Sequence, residues 1–135
     1  MDRFIKIYSW LVRGIIALIL LQTLFFKFSA APESVFIFSS LGIEPWGRIA
    51  TGLIELIASL LLFIPATIVW GALLAAGTML GAILSHLAIL GIEVQEDGGL
   101  LFSYACLVFI LSLTILWIKK EDLKTYLNRI KSLFQ

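Results

Sequence analysis

Four apolar blocks, residues 7–26, 45–64, 66–90 and 99–118, govern what this chain can become. A helix needs about 20 mostly apolar residues to cross roughly 30 Å of hydrocarbon, and each block meets that length. Hydrophobic residues make up 61% of the 135 and charged ones only 14%, so little remains to solvate a soluble surface. The mean hydropathy of +1.06 agrees. Within lipid every backbone amide and carbonyl must be satisfied internally, which leaves helices or closed barrels. Barrel strands are short alternating segments, unlike these continuous runs. The expected fold is all-α, an integral membrane four-helix bundle over residues 1–118 with an amphipathic tail over 119–135. The first block lacks the small-residue cleavage site of a signal peptide, so it reads as a retained helix.

Orientation follows from the cations. Arg3, Lys6 and Arg13 flank the first block, and Lys119, Lys120, Lys124, Arg129 and Lys131 follow the fourth, eight of the ten Lys and Arg residues. By the positive-inside rule both termini are expected to be cytoplasmic, in a multi-pass protein of the cell inner membrane. The loops on the opposite side carry Glu33, Glu44, Glu93, Glu96 and Asp97. A net charge of +1 gives no reason to expect nucleic-acid binding.

Between the first two blocks, Pro32 suits a first helical position, Glu33 the positive end of a helix dipole and Gly42 a helix end, predicting a short outer interfacial helix over 32–41. Pro45 and Trp46 open the second block, and Pro65 closes it. The turn that follows is so short that the second and third helices must be antiparallel neighbours. In the third, Gly77, Gly81 and Ser85 recur every fourth residue, the spacing at which helix backbones pack closely in lipid. In the tail, Leu123, Tyr126, Leu127, Ile130, Leu133 and Phe134 share one helical face opposite Lys124 and Lys131. That face suits the inner leaflet or a cytoplasmic partner protein.

Glu55 is the anomaly. At 1.5 Å of rise per residue it falls about 15 Å below Pro45, near mid-bilayer, where a charge costs about 3 kcal/mol on insertion scales. It can stay ionised against Lys27 or Arg48, or take up a proton as desolvation raises its pKa. Two cations at reachable depth and no second acid favour pairing. Lys27 and Arg48, together with His86 and Tyr104 from the third and fourth helices, are expected to converge in the outer half as a ligand-binding group around Glu55. There His86 and Tyr104 would donate hydrogen bonds to the oxygens of a lipid-soluble molecule such as a quinone, with Trp46 or Phe102 beside its ring. The alternative is that Arg48 and Glu55 only fasten the second helix to the first. Arg13 is expected to snorkel to the headgroups.

One histidine cannot supply both axial ligands of a membrane b-type haem. One cysteine, Cys106, forms no intrachain disulfide. No metal cluster, phosphate-binding loop or serine triad is present in the sequence, so it offers no self-contained catalytic motif, and any enzymatic part is expected to be that of a subunit of a quinone-linked oxidoreductase.

Arg13 early in the first helix, Lys27 at its end, "GRIATGLIELIASLLLFIP" with Gly52-x-x-Glu55, and the small-residue helix "GALLAAGTMLGAIL" together resemble the DoxX family of small four-helix membrane proteins. The resemblance implies an accessory subunit of quinone-linked redox complexes, with Arg13, Lys27 and Glu55 as characteristic polar positions. Leu24 departs from the glycine many members carry three residues before the lysine. Two other functions stay open: a membrane scaffold or assembly factor that recruits partner proteins, and a small carrier with Glu55 as its titrating group.

Overall fold

The computed structural model describes residues 2–135 and is all-helical, with no strand among them. Six α-helices follow one another: α1 (Arg3–Phe28), α2 (Pro32–Ser40), α3 (Trp46–Leu61), α4 (Ile68–Ser85), α5 (Leu100–Ile118) and α6 (Lys120–Leu133). A 3₁₀ turn, Pro65–Thr67, leads into α4, and a π-helical turn, His86–Leu90, ends it. Among the described residues three segments are long and apolar enough to span a bilayer: α1, the run Pro65–Leu90 and α5. The second apolar block yields a shorter helix than expected, because α3 closes at Leu61 and the chain turns before Pro65. Its 16 residues reach about 24 Å at 1.5 Å each.

Helix α1 packs against α3 and α5, and α4 packs against the same two, so the four lie side by side around one core. That core is narrow and built from Ile16, Leu20, Ala58, Leu62, Ala72, Ala75, Val108 and Ile115. The outer surface is apolar too: Leu18, Phe25, Leu60, Ile110 and Trp117 are each at least 60% exposed. Exposed apolar surface on this scale is far beyond what a soluble monomer carries. These side chains face lipid, and the protein is a multi-pass membrane protein. Most hydroxyls within the helices are satisfied locally: Thr51, Ser59, Thr78, Ser85, Ser103 and Thr114 each donate to the carbonyl four residues back, while Ser9 and Ser112 have no partner.

The small-residue stripe corrects the sequence expectation. Gly77 and Gly81 have no atom within 4 Å of a Cβ built on them, so this face of α4 is open. The packed face lies nearly opposite on the helix, where Gly71, Ala72, Ala75, Ala76 and Met79 are buried. A Cβ on Gly71 would stand 2.8 Å from the Leu62 amide nitrogen and 2.9 Å from the Ala58 oxygen. Only glycine allows α4 to approach the end of α3 so closely.

Helix α2 forms where Pro32, Glu33 and Gly42 predict it, with Pro32 at its first turn and Gly42 beyond its end at φ +74°. The tail is one helix, and it is tied back to the bundle. The Tyr126 hydroxyl donates to the Ala66 carbonyl at 2.8 Å, and its ring meets Trp70 at 5.4 Å.

Asp97 organises the loop before α5. Its carboxylate accepts amide hydrogen bonds from Val94 at 3.0 Å, Gly99 at 2.8 Å and Leu101 at 3.1 Å. Burial alone would raise its pKa, but the three amides outweigh that, with a small contribution from His86, and hold the carboxyl below its ordinary value. A carboxyl with a lowered folded pKa stabilises the fold above its unfolded value, and loses that contribution as pH falls through the folded one. Asp97→Ala is therefore expected to cost about 1 kcal/mol at pH 7, as for a lost helix cap. Thermal melts at pH 7 and below pH 4 check this, since the gap between variant and wild type should close at the acid end.

Candidate functional site

Helices α1 and α3 are antiparallel, so the C-terminal end of each lies beside the start of the other, and three contacts lace them together. At one end, Arg48 donates through Nε to Glu44 at 2.7 Å and through its guanidinium to the Lys27 carbonyl. At the other, Arg13 donates to the Leu62 carbonyl at 2.7 Å and to the Ser9 carbonyl at 3.2 Å. Each arginine thus serves a carbonyl that its neighbouring helix leaves unpaired at its C-terminal end. Between them, Lys27 Nζ meets Glu55 Oε2 at 2.9 Å.

The Lys27–Glu55 pair is the candidate site. The Glu55 side chain is 4% exposed and that of Lys27 15%, so a nearly buried carboxylate fixes an ammonium that remains partly accessible. The Thr23 hydroxyl lies 3.2 Å from both Lys27 Nζ and Glu55 Oε2. It accepts from the ammonium, and its single proton goes either to Glu55 or to the Leu20 carbonyl at 2.8 Å. Beside this group the Phe28 ring lies over Gly52, where an added Cβ would stand 2.8 Å from the ring. Gly52 thus admits the ring one turn above Glu55. Thr23 and Phe28 were not legible as site residues, although Thr23 stands four positions before Lys27 on one face of α1.

Of the two counter-cations foreseen for Glu55, only Lys27 pairs with it. Arg48 is engaged by Glu44 and the α1 carbonyl, since an acid four residues earlier, in the turn before α3, is nearer than one two turns on. Arg13 does not snorkel; it is 5% exposed, and its guanidinium lies 4.3 Å from the Trp10 ring centre. His86 also differs from expectation. Its Nδ1 faces the Gly91 carbonyl at 2.8 Å, and a carbonyl can only accept, so this nitrogen carries the proton. The ring meets Phe102 edge-on at 5.5 Å and closes the π turn, and in its neutral form it offers Nε2 as an acceptor. Tyr104 is half-buried, and none of the hydrogen bonds among the described residues links it or His86 to the Lys27–Glu55 pair. No group of three His, Cys, Asp or Glu side chains able to hold a metal occurs among the described residues.

Fold and site together define a helical multi-pass membrane protein whose first and third helices are joined by buried charge. Residues 11–113 match the family model described as the DoxX-like family, and the chain belongs to that family. No curated protein and no solved structure matches it.

Proposed function

We propose that this protein is a membrane accessory subunit of quinone-linked redox complexes, with α3 as its fourth crossing, and that it holds a quinone or similar carbonyl-bearing lipid-soluble ligand at Lys27. The observation that carries this reading is the partly accessible ammonium clamped by a nearly buried carboxylate. Lys27 has three N–H donors and spends two of them on Glu55 and Thr23, leaving one for a carbonyl oxygen. Glu55 holds the ammonium in place, and Phe28 offers a ring for stacking. His86 and Tyr104 belong to this reading only as a second wall of the ligand's surroundings.

Titration of the purified protein in nanodiscs with a short-chain ubiquinone, read by tryptophan fluorescence, tests it. A hydrogen bond from a charged donor is worth about 1.5–3 kcal/mol, so Lys27→Met combined with Glu55→Leu should weaken binding by about tenfold or more. Unchanged affinity in that variant disposes of the site.

The scaffold alternative draws support from α6, where Leu127, Ile130 and Leu133 are exposed along one face, with Phe134 exposed just beyond its end. Cross-linking in native membranes separates the two, because a scaffold gives one dominant partner that is lost on deletion of residues 119–135. The ion pair that fixes Glu55 to Lys27 across two helices weighs against a carrier.

A further inference from the structure

The end of the bundle where α1 begins and α5 finishes holds a second concentration of charge, separate from the Lys27–Glu55 pair. A cavity of about 330 Å³ opens there, lined by Lys6, Ser9, Trp10 and Arg13 of α1, by Lys119 after α5 and by the turn entering α4. Three of its lining residues are cations. Arg13 is buried, and among the described residues no carboxylate lies within ion-pair distance of it or of Lys6. Lys119 has only a distant neighbour, Asp122 at 4.0 Å, whose side chain is 57% exposed. Ser9 is 3% exposed, and its hydroxyl has no hydrogen-bond partner.

A buried guanidinium without a counter-anion is costly, and so is a buried hydroxyl with nothing to bond. Two carbonyls and the Trp10 face satisfy part of Arg13, but carbonyls and rings leave its net charge uncompensated. The group that complements this lining is an anion with several acceptor oxygens, small enough for the cavity and reachable from the membrane surface. A phosphate fits all three requirements: its oxygens accept from an arginine, from two ammonium groups and from a hydroxyl at once.

We propose that this cavity is a binding site for a phosphate group, in which Arg13 and Ser9 form the fixed floor and Lys6 and Lys119 close over the anion from above. Its position at the bundle end, between helices and open to the interface, is where basic pockets receive the headgroups of anionic lipids. The site does not depend on any ligand at Lys27.

Native mass spectrometry of the full chain tests this with three probes: phosphatidylglycerol, phosphatidylcholine of the same acyl chains, and inorganic phosphate. Phosphatidylglycerol is expected to bind about tenfold or more tightly than phosphatidylcholine. The preference should fall about tenfold in Lys6→Gln with Lys119→Gln, which leaves the Arg13 contact to α3 intact. Ser9→Ala should weaken binding of either phosphate source by a few fold. Displacement of the lipid by millimolar inorganic phosphate would identify the free anion as the occupant, and lipid binding indifferent to it the headgroup. Equal binding of the two lipids with no adduct of inorganic phosphate, or a preference undiminished in the double variant, overturns the proposal.

Discussion

Glu55→Ala is expected to lower the stability of the protein by about 3–5 kcal/mol, measured by unfolding in a fixed detergent or lipid mixture. The loss comes less from the missing attraction than from what is left behind. Lys27 sits with 15% of its side chain exposed, and without Glu55 its ammonium has only the Thr23 hydroxyl to face. Lys27→Met is expected to do similar damage, because Glu55 would then be left at 4% exposure with one weak donor near it. Removing both charges together reverses the sign of the argument. Apolar residues of similar volume often replace a buried ion pair at little cost, so Lys27→Met with Glu55→Leu should return to within about 1 kcal/mol of wild type. A loss below about 1 kcal/mol in Glu55→Ala alone would mean that the pair is not formed in the membrane.

The same set of variants separates fastening from function. If the pair only ties α1 to α3, the double variant should behave as wild type in every assay, since the arginine contacts still lace both ends. If Lys27 serves a ligand, the double variant should be stable and yet fail to bind it. Stability and binding move together in the single variants and apart in the double one, which is why the double variant decides.

Much of this was legible from residue types and spacing. The helices follow from apolar runs and from Pro32, Gly42, Pro45 and Pro65, because length and backbone restriction act locally. The Lys27–Glu55 pair was legible because an acid at that depth needs a cation, and few were within reach. The arginines were not, for a physical reason. Arg13 and Arg48 bond to the carbonyls of Leu62 and Lys27, and a backbone carbonyl leaves no mark in a sequence. Only the geometry of two antiparallel helices, each ending beside the other's start, makes those oxygens available. The His86 contact was hidden in the same way: its partner is the Gly91 carbonyl, brought back by a π turn that residue types do not announce. The packing face of α4 was misjudged because two small-residue stripes, one from Gly71 and one from Gly77, share the helix. Spacing alone does not tell which of them meets α3.

That ambiguity gives the second large effect. Gly71→Ala is expected to cost about 1–3 kcal/mol, as for an overpacked interface, and Gly71→Leu more. Its new Cβ would press on the Leu62 nitrogen at 2.8 Å and the Ala58 oxygen at 2.9 Å, both backbone atoms, so no side chain can swing aside to relieve it. The α3–α4 hairpin would have to open at its turn, where Arg13 holds the Leu62 carbonyl, and the disturbance should reach Trp10 through its contact with the guanidinium. Gly77→Ala is the matched control, since nothing lies within 4 Å of its Cβ. Replacing an exposed helical glycine by alanine gains roughly 0.5–1 kcal/mol, so this variant should be neutral or slightly more stable. Thermal unfolding of both in one detergent measures the contrast. Equal behaviour would place the two stripes on equivalent faces and undo the close approach of α4 to α3; a loss confined to Gly71 would mean that the hairpin is held by backbone contact, with the charged residues of α3 left to face α1.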